Sequence, residues 1–370
     1  MRAFLSLVIF ILSAMSVGAA PLSHDQLAEL VMPPFSVGTA VNERGVWHLL
    51  NSGGAEAGYV FETEPLAPFP GFSGAPINML VPLDLDGRFL DVQLIAHNEP
   101  IFVSGLGEAP LRKFLEQYRG HSILAPLVVG NPYGTAGAGT DLVYLDGVTK
   151  ATASVLIAHQ SILAAALSVV CEKMAGVATH PPAYPNPSHD EALDWADLVA
   201  QGLATRLRVT NRELDAAFAG TIWQDDDPLT KTDPDGLYLD VWVVDLGPPA
   251  VARAVLDDDG FAGLQRFEAV SSSEEPILVI DAGRHGLVSE DFVRNTAPDR
   301  LCAVQGGLPL ALRDADLDFA LRPEVPQGTA MILRIDRRLG FDPTQDWTMS
   351  LQAVRSMAAF DRNSAACISA

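Results

Sequence analysis

An α+β fold is expected for this chain, with antiparallel strands and packed helices in a first domain and a second, mixed α/β domain behind it. Three observations carry that expectation. Two apolar runs, Ile77 to Asp84 and Phe89 to His97, meet through Asp84-Leu85-Asp86-Gly87-Arg88, and apolar runs joined at Asp-Gly form a β-hairpin. The apolar segment Val155 to Lys173 is far too long for a strand and is expected to be a helix. Beyond the Pro-rich stretch His180 to Pro187, strand-like and helix-like runs are interleaved, which suits either an α+β or an α/β second domain.

Composition bounds the function. The chain has 370 residues, of which 48% are hydrophobic, with 30 Gly and 26 Pro. That supports one large or two medium globular domains with ample cores. Its net charge of −22 argues against partners that attract clustered Lys and Arg, so no nucleic acid is expected. Met1 to Leu12 is one basic residue followed by an apolar run, and Ser16 to Ala20 are small. This is the anatomy of a secretory signal peptide over residues 1–19, so the chain is expected to be exported; an uncleaved anchor helix is the alternative. Cys171, Cys302 and Cys367 lack CxxC spacing, which supports neither zinc nor an iron–sulfur cluster. One disulfide is open to them, and its pairing is not readable.

In chain order, Asp25 to Val31 reads as a short amphipathic helix, Trp47 to Leu50 as a strand, and Ala57 to Thr63 as the next strand before Pro65, Pro68 and Pro70. After the hairpin, Ala109 to Tyr118 places Leu111, Phe114, Leu115 and Tyr118 on one helical stripe, with Gly120 as its stop. In the second region Trp195 to Ala204 is expected to be helical, Tyr238 to Asp245 a strand, and Pro248 to Leu256 a helix with Pro near its start. Further strands are expected over Ile277 to Ile280, Arg300 to Val304, Ala330 to Ile335 and Trp347 to Val354.

The stretch Asp146-Gly147-Val148-Thr149-Lys150-Ala151-Thr152-Ala153-Ser154 opens the long helix. A helix N-terminus offers free N–H groups and partial positive charge, a setting suited to a phosphate, while Thr, Ser and Asp also serve there as N-caps. Asp-x-x-Thr-x-Ala-Thr resembles the flavinylation motif of the FMN-binding domains of NosR-type and RnfG/NqrC-type proteins. The resemblance implies that Thr152 carries FMN as a phosphoester, with Asp146 the leading acid, Thr149 the preceding hydroxyl and Ala151 the small neighbour. Lys150 stands where many members have Gly. Gly71-Phe72-Ser73-Gly74-Ala75-Pro76-Ile77, the Asp-Gly turn and His97-Asn98-Glu99-Pro100 follow the order of such domains. The FMN-binding domain is therefore expected over 45–178, with His97, Glu99 and Ser154 beside the flavin; a loop acid and a partly satisfied histidine are the plain alternative for Glu99 and His97.

The region 190–358 is similar to the exported half of NosR and NirI proteins, through Asp240-Val241-Trp242-Val243, Pro249 with Arg253, and Phe341-Asp342-Pro343 to Leu351. Such proteins continue into membrane helices and cysteine-rich clusters, whereas this chain stops at Ala370. The resemblance implies a periplasmic flavoprotein of electron transfer or redox signalling, serving the expression or maturation of nitrous oxide or nitrite reductase. It also implies an FMN transferase that uses FAD as donor, and a membrane-bound electron donor or NosR/NirI-like membrane partner. A cofactor-free module that docks on a membrane partner is the rival, and it is indifferent to the Thr152 hydroxyl. A hydrolase is disfavoured because Gly-x-Ser-x-Gly is absent. His159, alone on the long helix, reads as structural.

Overall fold

The computed structural model describes residues 21–369 except 126, 130–142, 174–182, 187–188, 190, 222, 291 and 358–359. The expected signal peptide, the Gly-rich stretch from Gly130 to Gly139 and half of the Pro-rich break lie outside the described residues. The architecture is α+β.

The chain enters through α1 (His24–Leu30), closed by a reciprocal capping box between Ser23 and Gln26. Strands β1 (Ser36–Ala40), β2 (Trp47–Leu50), β3 (Glu56–Glu62), β4 (Asn78–Asp84) and β5 (Gln93–Ala96) form an antiparallel sheet in sequence order. This sheet therefore begins before residue 45. Successive residues on β3 and β4 serve opposite faces, as the pleat requires. Val60 and Leu80 pack with Leu27 of α1, while Phe61, Met79 and Val81 join the larger core on the other side.

The hairpin turn forms as expected. Asp84 Oδ1 accepts from the N–H groups of Asp86 and Arg88 at 2.9 and 2.8 Å, and Gly87 takes φ 72°. The returning strand is shorter than its apolar run, with β5 starting at Gln93. Phe89 bridges Leu83 of β4 on one edge; on the other, its N–H donates to His121 O at 2.9 Å and its carbonyl accepts from Gly120 N at 2.7 Å. These bonds tie the hairpin to the end of α2 (Ala109–Glu116), which buries Leu111, Phe114 and Leu115.

A parallel pair, β6 (Leu127–Val129) with β7 (Val143–Leu145), leads into α3 (Thr152–Lys173). By length and its mean hydropathy of 1.9, α3 could cross a membrane, but 89% of that apolar window is buried inside the protein. It is the central core helix of this half. His159 on α3 is buried between the Tyr118 hydroxyl, 2.6 Å from Nδ1, and Leu127 O, 3.2 Å from Nε2. The carbonyl can only accept, so Nε2 carries the proton and Nδ1 accepts from Tyr118. Burial lowers its pKa to about 4, consistent with the structural role.

The second half begins with α4 (Trp195–Ala200) and β8 (Ala204–Thr210). The helix expected to reach Ala204 ends at Ala200, because Gly202 turns the chain at φ 73° and Ala204 pairs with Val244. Then follow α5 (Asn211–Ala217), α6 (Leu229–Thr232), β9 (Leu237–Asp245), α7 (Pro249–Val255), α8 (Asp258–Val270) and β10 (Glu274–Asp281). The chain ends in β11 (Leu301–Gln305), β12 (Leu308–Leu310), β13 (Leu312–Asp314), β14 (Thr329–Asp336), β15 (Thr348–Met357) and β16 (Phe360–Ser369).

One sheet runs β13-β14-β10-β9-β8 and another β12-β11-β15-β16, with every described pairing antiparallel. The second half is thus α+β, one of the two arrangements that its interleaved runs allowed. Its runs are interleaved with helices, but those helices cover a face rather than cross between parallel neighbours. Trp242, Val244, Leu278 and Ile280 face Leu198, Val251, Val255 and Leu264 of the helices. The alternate residues Val241, Ile277 and Val279 face Leu301, Ala303, Met349 and Leu351 of the second sheet.

The halves touch where Gln352 Nε2 donates to the Tyr144 hydroxyl at 2.5 Å and where the Arg313 guanidinium lies 4.7 Å over the Phe69 ring. Cys171 is a buried free thiol and Cys302 is half-buried; the side chain of Cys367 lies outside the described residues.

A buried ionic cluster gives the second half a pH dependence. Glu275 of β10 is fully buried and paired with Arg337, with Asp245 of β9 beside it. Burial and then Asp245 raise the Glu275 pKa against the pull of Arg337, and burial raises that of Glu268 to about 7. An acid whose pKa is higher in the folded chain stabilises fully below its unfolded value, and that contribution is lost as pH rises through the folded value. Stability is therefore expected to fall between about pH 5 and about pH 8. Glu268→Gln should remove about 1 kcal/mol of that fall, allowing for solvent screening at a half-buried site. Urea melts at the two pH values check this, and identical slopes in both proteins would contradict it.

Candidate functional site

The chain turns into α3 through Val148 to Ala151, with Ala151 N–H donating to Val148 O at 3.0 Å. Ala151 O accepts the first intrahelical bond, from Val155 N at 3.0 Å, so Ala151 is the N-cap residue. It has no side-chain oxygen with which to cap. Thr152 is the first helical residue, and its side chain is exposed. Simple capping by the hydroxyls of this stretch, one of the two readings of the sequence, is therefore not what the Thr152 hydroxyl does.

A surface cleft of about 470 Å³ opens beside it. One wall is Lys150 to Ser154, another is Pro100, Ile101, Ser104 and Gly105, and Phe72 closes the rim. The second wall belongs to a π-helical turn, Phe102–Leu106, a geometry frequent at functional sites. Phe72 sits on a tight loop in which Gly71 N donates to Ala75 O at 2.8 Å and Gly74 N to Gly71 O at 2.9 Å. The loop holds the ring 76% exposed.

Glu99 joins these walls. It is fully buried, accepts from the Ser154 hydroxyl, and accepts from Ser73 N–H at 3.3 Å. A Cβ on Gly71 would stand 2.2 Å from Glu99 Oε1, so this close approach requires glycine there. His97 stands behind Glu99 and does not line the cleft. Its Nδ1 accepts from Glu99 N–H at 3.1 Å, while Nε2 faces Glu108 at 3.5 Å. The neighbouring Arg112 guanidinium lowers the Glu108 pKa.

The residues singled out from sequence thus divide. Ala151, Thr152 and Ser154 line the cleft; Glu99 bonds Ser154 from below, and His97 steadies Glu99. Asp146 and Thr149 are exposed and lie outside the lining. Asp146 is held by its backbone, its N–H donating to Gln117 Oε1 at 2.7 Å and its carbonyl accepting from Gln117 Nε2 at 3.0 Å.

No protein-family model matches the chain. Curated relatives match it over most of its length. Regulatory protein NosR of Stutzerimonas stutzeri is 27% identical over 362 residues, covering 94% of this chain and 49% of that protein. Regulatory protein NosR of Pseudomonas aeruginosa is 26% identical over 350 residues, covering 92% and 48%. Protein NirI of Paracoccus denitrificans is 24% identical over 320 residues, covering 83% and 43%. The chain is homologous to NosR and NirI. It spans about half the length of the curated relatives it matches.

Lys150 is at odds with its setting. It adopts φ 71°, a left-handed conformation that favours glycine, and places a cation at a helix N-terminus. Both features act against the folded state. Lys150→Gly is expected to stabilise the chain by about 0.5–1 kcal/mol, read from urea melts; a loss of stability would mean that Lys150 makes a stabilising contact.

Sequence reasoning named Phe72 only within a motif and missed Ile101 and Ser104. Phe72 left a signal, since an aromatic at the tip of a Gly-x-x-Gly loop has little to pack against. Ile101 and Ser104 left none, because their place depends on the π-helical turn.

Proposed function

We propose that this chain is an exported flavoprotein that carries FMN as a phosphoester on Thr152 and works in electron transfer or redox signalling. The observation that carries the reading is the exposed Thr152 hydroxyl at the first position of α3, on the wall of a cleft fastened underneath by buried Glu99. The residues present suit the group. Leading N–H groups of α3 and its positive end favour the single negative charge of a phosphodiester. Lys150, on the same wall, adds a cation. Ile101 offers apolar surface that excludes water, and the Glu99–Ser154 link fixes the start of α3 relative to the loop. When bound, FMN supplies one- and two-electron chemistry, to which the protein contributes position and electrostatics.

The role proposed is regulatory, in keeping with the names of the relatives, and directed to the expression or maturation of denitrification enzymes. It calls on an FMN transferase for loading and a membrane-bound partner for electrons. Loading is tested by producing the chain with and without such a transferase and precipitating it in acid. Flavin absorbance retained in the precipitate, only with the transferase, is the expected result. Complete release of flavin into the supernatant would overturn covalent attachment.

A further inference from the structure

Leu156, His159 and Leu163 continue the face of α3 that Thr152 begins, because residues three, four and seven apart stack on one side of a helix. Gln160 flanks that stripe. All four line one wall of a second cavity, whose facing wall includes Leu301, Ala303 and Leu310 from the C-terminal half. Its volume is about 120 Å³, near the size of an engineered cavity, about 150 Å³, that holds one benzene ring.

Gln160 breaks the apolar character of the wall. It is 7% exposed, and neither its carboxamide oxygen nor its nitrogen has a hydrogen-bond partner among the described residues. An unpaired buried amide opposes folding, so an occupant that satisfies it gains binding energy. The carboxamide presents an acceptor beside a donor, the complement of a cyclic amide or imide edge. His159 does not compete for such an occupant, since Tyr118 and Leu127 engage both ring nitrogens.

We propose that this cavity receives the pyrimidinedione ring of the flavin, with Gln160 bonding its C=O and N–H edge. The inference rests on attachment at Thr152, and it fixes which way the cofactor runs: along α3 rather than outward past Phe72. From Thr152 to Gln160 the helix rises about 12 Å, a span for the phosphate and ribityl chain.

Lumichrome, which has the pyrimidinedione ring but no ribityl or phosphate, tests the cavity on the unmodified chain. Titrated by fluorescence, it is expected to bind the wild type and Phe72→Ala alike, and about tenfold or more weakly to Gln160→Met. Gln160→Glu, which replaces the donor by an acceptor, should weaken it similarly, and circular dichroism establishes that both variants are folded. In the flavinylated chain, Gln160→Met should shift the visible flavin spectrum and Phe72→Ala should not. Lumichrome binding that is absent, indifferent to Gln160, or lost in Phe72→Ala would overturn the proposal, as would water alone in a high-resolution structure of the flavinylated chain. An unmodified mass with Gln160-dependent lumichrome binding would instead sink attachment at Thr152 and leave the cavity's ring specificity standing.

Discussion

Thr152→Val is expected to abolish covalent flavin while leaving the fold intact. The substitution keeps the branched shape of the side chain and removes only the hydroxyl that would bond to phosphorus. Because Thr152 is exposed at the first position of α3, stability should change by no more than about 0.5 kcal/mol. Thr152→Ser keeps a hydroxyl at the same place and should retain modification at a reduced rate. Thr149→Val should be modified like the wild type, since Thr149 lies outside the cleft lining. Flavin fluorescence of the denatured band on a gel reads all three. A fluorescent Thr152→Val band would move the attachment point elsewhere, with Ser154 the next hydroxyl on the wall.

The second large effect is at Glu99. Glu99→Leu would strand the buried Ser154 hydroxyl and remove the acceptor of the Ser73 N–H, which solvent can reach. One unmet buried group costs about 1–3 kcal/mol, and a loss of that size is expected. Glu99→Gln keeps an acceptor oxygen and should cost about 1 kcal/mol. The loss should be shared with Ser154: in Glu99→Leu, adding Ser154→Ala should cost less than Ser154→Ala does alone. Urea melts of the four proteins give that coupling. Strict additivity would mean that Glu99 and Ser154 do not act as a unit.

The sheet elements were largely legible, because alternation and turn chemistry are local. Asp84-Leu85-Asp86-Gly87-Arg88 announced the hairpin, and Asp84 Oδ1 bonds two of the turn's N–H groups. The returning strand was overread, since an apolar run does not show that β5 starts only at Gln93, nor that Phe89 bonds Gly120 and His121 on one edge while bridging Leu83 on the other. The end of α4 was misplaced because an apolar run gives no sign of where Gly202 turns the chain. Antiparallel order in the second half was not readable either, as interleaved strands and helices suit both topologies until the pairings are known.

At the site, the motif put Ala151, Thr152 and Ser154 together because they are adjacent in sequence. Glu99 came only through family likeness; its burial and its bond to Ser154, 55 residues away, are products of folding. Asp146 and Thr149 show the reverse case, in which membership of a motif did not bring a side chain into the cleft.

Intact-mass spectrometry of the chain, made in a host shown to flavinylate a control protein, tests the central claim most directly. The expected result is a mass increase of one FMN less water, which peptide fragmentation assigns to Thr152 and which is missing from Thr152→Val. An unmodified wild-type mass in that host would contradict covalent flavin at α3 and return the chain to a cofactor-free regulatory module.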